Sequence, residues 1–526
     1  MKARYVTLLG VLMAGTAFPA AAEVACEALP SATLDGVKVV SASLNEASEA
    51  APAHCEVMAE VPPKTTDGWP IKMRVVLPVE WNGKSVQFGG GGFNGVIPPQ
   101  VGGRWQTELA AKEFPHKGYA TFSGDSGHDA SDLPYGPDLD PRRASFALNK
   151  EAFERYARYS VNETYVAAMK IIETHYGSAP KLKYFVGFSQ GGKEAMVAAQ
   201  DHPQDYDGIL VGDPVAALTG LKMAHLQSST GFYKNGGAGW VSPELAEVVT
   251  KEVYRQCDPL DGLEDNWIAN FEGCQPDLST LLCTDDKKEG CLTEAQLEAV
   301  NNVARPVKLD YELSNGLTGH AGYPWGNVSW HGSFAGSRPQ PSVPAPNNGG
   351  NDSYVYSLGD GYHRFMIRQD VNANSLDFDP NDPALRDRIL EVSKILDATN
   401  PDLSALADKG AKMILYAGGA SEVPPAEVAA YWKRVNEKLG KDKVDSFARF
   451  YIFPSINHAG VGPEGMPNQS DLFSALEKWV ENGEAPGELV NQSKSGEVTR
   501  PLCLYPTWPQ YQSGDVNAAS SFKCVE

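Results

Sequence analysis

The sequence predicts an α/β fold: a mostly parallel sheet, doubly wound with helices on both faces, and a large insertion between two of its strands. Three observations predict it. Strand-like and helix-like segments alternate over most of the 526 residues. A glycine-flanked serine stands where one strand passes into a helix. The alternation fails between about residues 215 and 398 and then resumes.

In chain order, Lys2 and Arg4 precede an apolar run over 6–18 and then Ala20-Ala21-Ala22. That is the three-part pattern of a secretory signal peptide, too short to span a bilayer, so residues 1–22 are expected to be removed on export. No later apolar run is long enough for a membrane span. Residues 75–77, 85–88 and 119–123 read as strands, with a glycine run after the second. Residues 149–175 carry helical periodicity, with Phe153, Tyr156, Tyr159, Val166, Met169 and Ile172 spaced for one buried face. A strand at 182–186, a tight turn at 187–191, a helix through 199 and a strand at 208–212 follow. Strands at 413–416 and 449–453 and helices at 427–439 and 470–482 close the pattern. The core is therefore expected in two parts, 23–214 and 399–526, with 215–398 as an inserted lid domain. That insertion holds four cysteines, an acidic cluster and a Gly/Pro/aromatic tract over 317–362, within which 337–352 reads as an exposed loop.

With 66 acidic against 45 basic side chains, the net charge is −21. This excludes a nucleic-acid binder held by phosphate contacts and a polybasic membrane anchor. An even count of eight cysteines in an exported chain reads as four disulfides. Loop-closure cost favours the sequence-local pairs Cys26–Cys55, Cys257–Cys274, Cys283–Cys291 and Cys503–Cys524. No C-x-x-C spacing suggests zinc or redox chemistry.

Gly187-Phe188-Ser189-Gln190-Gly191 matches G-x-S-x-G in a strand–turn–helix context. Side chains two positions from the serine would collide in such a turn, so glycine is needed there. Ser189 is the candidate nucleophile of an α/β-hydrolase core. The amide of Gln190 at the helix start is one candidate oxyanion donor. Gly91 or Gly92, in the run Gly89-Gly90-Gly91-Gly92-Phe93-Asn94-Gly95 after a strand, would supply the other. This run lacks the Lys and Ser/Thr of a phosphate loop. In such a core the base follows the last strand, which selects His458 in Ser455-Ile456-Asn457-His458-Ala459-Gly460.

Together with Ser123-Gly124-Asp125-Ser126-Gly127-His128 and Tyr206-Asp207-Gly208-Ile209, these motifs resemble the tannase/feruloyl esterase family, which includes the mono(hydroxyethyl) terephthalate hydrolases. The likeness runs over essentially all of 24–526. It implies a serine carboxylic-ester hydrolase acting on a small ester of an aromatic acid. The segment Cys257-Asp258-Pro259-Leu260-Asp261-Gly262-Leu263-Glu264-Asp265-Asn266-Trp267 looks like the family's structural calcium site. That implies Asp258, Asp261 and Asp265 as side-chain ligands of Ca²⁺, and Leu263 and Trp267 as carbonyl ligands. Without the resemblance the same segment reads as a solvated acidic loop.

Two departures stand out. The family places cysteines just before the serine and just after the histidine and joins them; here those positions are Phe188 and Ala459. Where the family has its triad aspartate, this chain has Ser421 in Gly418-Gly419-Ala420-Ser421-Glu422. The acid is then expected from Asp213, beside Pro214 at the end of the strand that follows the nucleophile helix, or from Glu422, or is missing. A missing acid would favour a non-catalytic binding protein on the same scaffold, and a peptidase or acyltransferase is a third reading. Tyr323, Trp325, Trp330, Phe334 and Tyr354 are expected to line an apolar slot for an aromatic ring, with Arg338 facing a substrate carboxylate.

Overall fold

The computed structural model describes residues 23–48, 51–98, 114, 116–130, 144–286, 288–340 and 352–526. The segment read as a signal peptide, 1–22, and most of the 337–352 loop lie outside them. Nine strands form one sheet: β1 (Lys38–Asn45), β2 (His54–Val61), β3 (Ile71–Pro78), β4 (Lys84–Phe88), β5 (Ala120–Gly124), β6 (Leu182–Phe188), β7 (Gly208–Gly212), β8 (Lys412–Gly418) and β9 (Ala448–Phe453). Their order is β1-β2-β3-β5-β4-β6-β7-β8-β9. β1, β2, β3 and β5 pair antiparallel in turn, and every pair from β5 through β9 is parallel.

The central strands are buried on both faces, which is why they read as unbroken apolar runs rather than as alternating ones. On one face Phe185, Ile209, Val211, Met413 and Leu415 pack with Met196, Val428 and Trp432. On the other Tyr184, Val186, Leu210, Ile414 and Tyr416 meet Phe473, Leu476 and Trp479. The helices that supply these partners are α2 (Gln190–Asp201), Pro425–Leu439 and Leu472–Asn482. Helix α1 (Ser160–Tyr176) covers the antiparallel end of the sheet through Ala167, Ala168, Ile171 and Ile172.

β7 and β8 are paired neighbours, Ile209 opposite Met413, yet about 200 residues separate them in the chain. That long crossover adds no strand to the sheet among its described residues. It carries its own apolar cluster, in which Leu221, Phe232, Val253, Val300, Tyr323 and Phe365 are buried together with Phe93, Phe146, Tyr156 and Val423 from outside the insertion. The insertion is thus packed down onto the loops at the carboxyl ends of the strands. Two of its helices, α3 (Leu218–Gly237) and α4 (Pro243–Cys257), lead away from β7 and into the acidic segment.

The four sequence-local cysteine pairs are the four disulfides observed. Such bonds persist in an oxidising compartment. No helix among the described residues is long and apolar enough to cross a membrane.

Two local features differ from expectation. The helical face predicted over 149–175 is broken by a π-turn at Arg155–Tyr159. Its wider turn shifts the register, so Tyr159 and Val166 point outward while Phe153, Tyr156, Met169 and Ile172 are buried. Strands β1 and β2 are not among the elements that the sequence predicts; β1 is an edge strand with Val40 and Leu44 about half exposed, so burial imposes no alternation on it.

Candidate active site

β6 reverses into α2 at Ser189, whose φ of 61° and ψ of −119° put a side-chain-bearing residue in a sparsely populated conformation. The reversal requires backbones to touch. A Cβ on Gly187 would lie 1.9 Å from the Gly191 carbonyl oxygen, and one on Gly192 would lie 2.4 Å from that of Gly212. Gly191 in turn donates its N–H to the Gly90 carbonyl at 3.0 Å, and Ser189 donates to the Gly212 carbonyl at 2.9 Å. The glycines on both sides of the serine are therefore a packing requirement, and the turn leaves the hydroxyl facing the loop after β9.

That loop carries His458. Its Nε2 is 2.8 Å from Ser189 Oγ, and its Nδ1 is 2.8 Å from Asp213 Oδ2. With a hydroxyl on one side and a carboxylate on the other, the hydrogen-bond network places the ring proton on Nδ1 and leaves Nε2 to accept from the serine. The Asp213 side chain is wholly buried, whereas 15% of the His458 side chain is exposed, so solvent reaches the serine–histidine pair but not the acid.

Asp213 follows β7 directly, with φ 42° before Pro214. Its Oδ1 accepts from the Gly418 amide at 3.3 Å, and its Oδ2 accepts from the Ser421 hydroxyl at 2.6 Å. Ser421 Oγ lies 3.3 Å from His458 Nδ1 and accepts from Val423 N at 3.0 Å. The serine at the position where the resemblance implies the acid is thus, after the Gly418 amide, a second anchor of the Asp213 carboxylate. Glu422 reaches the main chain of His458 rather than its ring: Oε2 accepts from His458 N at 3.0 Å, and Oε1 accepts from the Ser333 hydroxyl in the insertion. Phe188 stacks on the His458 ring at 4.9 Å between centroids. An aromatic contact thus stands at a position where the resemblance implies a cysteine that this sequence lacks.

The amides of Gln190 and Gly91 make none of the hydrogen bonds found among the described residues. Gly92 has φ 59° and its carbonyl accepts from Tyr156 Oη at 3.3 Å. Trp325 and Trp330 line a small cavity of the insertion with Val253, Tyr254, Asn327 and Phe334. Trp330 donates to Thr250 Oγ1 at 3.0 Å, and Asn327 accepts from Asn457, the neighbour of His458, at 3.4 Å. Tyr323 is buried against Phe334, and Tyr354 is exposed. Arg338 is held by the buried carboxylate of Asp352, 3.0 Å from its Nε, so its guanidinium already has an anion within the insertion.

In the acidic segment, Asp258 accepts main-chain N–H bonds from Asp265, Asn266 and Trp267, and Asp261 accepts from Leu263 and Ala269. Asp265 accepts from Trp267 N and is paired with Arg500 at 3.0 Å. Burial raises all three carboxyls, and with Asp265's charge nearby it pushes Asp261 up to about 7. The carbonyls of Leu263 and Trp267 accept none of the hydrogen bonds found among the described residues. By side chains alone, no three Asp, Glu, His or Cys residues among those described converge into a metal cluster. Calcium shells are commonly completed by main-chain oxygens, and the carbonyls of Leu263 and Trp267 are the ones the resemblance implies here.

A profile described as tannase and feruloyl esterase matches residues 55–525. The chain belongs to the tannase and feruloyl esterase family. It is 34% identical to an uncharacterized esterase of Agrobacterium fabrum, over 93% of this chain and 89% of that one. It is 29% identical to the mono(2-hydroxyethyl) terephthalate hydrolase of Piscinibacter sakaiensis, over 96% and 92% of the two chains. Feruloyl esterase B from Aspergillus oryzae superposes with a TM-score of 0.78 at 22% identity, covering 95% of this chain and 99% of that one, which shows the same fold. As a member of this family the chain is a carboxylic-ester hydrolase with an α/β-hydrolase fold.

The elbow geometry makes a direct prediction. Gly187→Ala forces a methyl into the Gly191 carbonyl, so it should lower stability by about 1–3 kcal/mol or more, the range for overpacking a rigid site. Thermal or urea unfolding measures this; an unchanged midpoint would show that the elbow is not close-packed.

Proposed function

We propose that this esterase cleaves esters of aromatic acids through an acyl-enzyme on Ser189, with His458 as base and Asp213 as the acid that orients it. One observation carries the reading: the unbroken chain of 2.8 Å contacts from Ser189 Oγ through the imidazole to Asp213. Ser189 attacks the ester carbonyl as its proton passes to Nε2. The carbonyl oxygen becomes an oxyanion, received by the amides of Gln190 and of Gly91 or Gly92. His458 then returns the proton to the leaving alcohol, and a water repeats the sequence to free the acid. Asp213 keeps Nδ1 protonated and stabilises the imidazolium that forms at each step. A relative named for a terephthalate monoester and the aromatic residues of the insertion support an aromatic acyl group and a lid role for that insertion.

The acidic segment is proposed to bind Ca²⁺ through Asp258, Asp261, Asp265 and the carbonyls of Leu263 and Trp267. When bound, the ion supplies charge neutralisation among carboxylates that otherwise repel one another. Ile268, next in the chain, donates to Ser455 Oγ at 2.7 Å, three residues before His458, so order in this segment is coupled to the histidine loop. Export, with removal of 1–22, is proposed from the N-terminal pattern and is consistent with the four disulfides.

A panel of gallate, ferulate and terephthalate monoesters tests the substrate class; turnover confined to aliphatic esters would refute it, and retained turnover in Ser189→Ala would refute the nucleophile. Asp213→Asn should keep the fold and lower kcat by up to about 10⁴, the scale of losing a triad carboxylate. Glu422→Gln keeps an acceptor for His458 N and should cost kcat less than about tenfold. Equal kcat losses in the two variants, or the reverse ranking, would move the acid away from Asp213. Chelation should lower both the melting temperature and kcat, restored by added Ca²⁺; a melting curve unmoved by chelator, with no metal in the purified protein, would remove the calcium proposal.

A further inference from the structure

Glu194 is a buried carboxylate one turn into α2, and the proposed chemistry does not call on it. Its Oε2 accepts the Gly90 N–H at 2.9 Å, and its Oε1 accepts Asn94 Nδ2 at 2.5 Å. Both donors belong to the glycine run that follows β4. The Gly90 carbonyl, for its part, accepts from Gly191 N at 3.0 Å. Two successive peptide units of the run, 89–90 and 90–91, are therefore each tied to the helix that begins at Gln190. In a trans peptide the N–H and C=O point in opposite directions. With the Gly90 carbonyl turned into the helix, the Gly91 N–H is turned away from it, on the exposed side of the run.

We propose that Glu194 is the positioning residue that sets the direction of the Gly91 amide, and through it the strength of the oxyanion hole. This rests on the reading of Gly91 as an oxyanion donor given above. Glycine is the residue least able to hold its own peptide planes, so a run of four needs an external clamp. The clamp has to be a carboxylate, because two donors converge on it and an ionised carboxyl is acceptor-only. A glutamine would turn an NH₂ toward either Gly90 N–H or the Asn94 amide. Burying a charge here is costly and pushes the carboxyl up; the hydrogen bonds from Gly90 N–H and Asn94 oppose that most, and the buried Lys193 nearby, which donates to the Ala157 carbonyl, opposes it less. Preorganised amides act on the tetrahedral state more than on the bound ester, so a loosened clamp should be felt in kcat rather than in KM.

The test compares Glu194→Gln, Asn94→Ala and the exchange Glu194→Gln with Asn94→Asp, using a p-nitrophenyl aryl ester and an arylboronic acid that forms a tetrahedral adduct on the serine. Glu194→Gln should lower kcat at least ~10-fold with KM within about twofold, and boronate affinity should fall in parallel. The double exchange restores one donor for each acceptor and should recover most of both losses; Asn94→Ala should move kcat in the same direction as Glu194→Gln, by less. Wild-type kcat and boronate affinity in folded Glu194→Gln or Asn94→Ala protein would overturn the proposal, as would a folded double exchange that recovers nothing. Ser189→Ala serves as the control: residual turnover there refutes the nucleophile itself, whereas a dead Ser189→Ala beside a fully active Glu194→Gln refutes only the clamp.

Discussion

The contact between backbone and backbone around Ser189 governs the site. Gly187 lies under the Gly191 carbonyl, Gly192 lies against Gly212, and Gly191 is hydrogen-bonded to Gly90. In this way β4, β6 and β7 are drawn together at their carboxyl ends with no side chain between them. The positive φ of Ser189 is affordable only because three strands and one helix over-determine it. From that knot the remaining groups take their positions. The glycine run after β4 is laid beside the helix start, and Asp213 emerges from the end of β7 within reach of the loop after β9.

In the reading proposed above, the acid stands after β7 rather than after β8. β7 and β8 are paired neighbours, so residues just beyond their ends share one small volume. A carboxylate at either end can face the same imidazole. In this chain Asp213 is nearer to the imidazole, and Ser421, at the alternative end, donates to Asp213 Oδ2 at 2.6 Å while lying 3.3 Å from His458 Nδ1. Where the resemblance implies a joined cysteine pair, this chain has Phe188 and Ala459. Phe188 stacks on His458, and Glu422 grips the histidine main chain from a second side while touching Ser333 in the insertion. The histidine loop is thereby held by an aromatic ring, a main-chain hydrogen bond and the Ser455–Ile268 link, all of them non-covalent.

Much of the fold is legible in the sequence because burial on both faces leaves β6, β7, β8 and β9 with apolar runs bounded by turn residues. β1 is not, since an edge strand with Val40 and Leu44 half exposed is under no constraint to alternate. The π-turn at Arg155–Tyr159 escapes a 3.6-residue template for the reason that it is an exception to that period. Ser189 and His458 can be singled out because an elbow and a chain order constrain them. The partners of Asp213 cannot be read in this way: residues 213, 421 and 458 meet only in three dimensions, and a glutamate one position past Ser421 gives no hint that it binds a main-chain amide. Glu194 is similarly silent, one of two adjacent charged residues, Lys193 and Glu194, that the sequence does not mark as buried in α2.

The central claim is that Asp213, and no other carboxylate, holds the Nδ1 proton of His458. Proton NMR at low field observes that proton directly. The account predicts a strongly deshielded resonance in the wild-type protein, absent in folded Asp213→Asn and retained in Glu422→Gln. A resonance that survives in Asp213→Asn and vanishes in Glu422→Gln would contradict it.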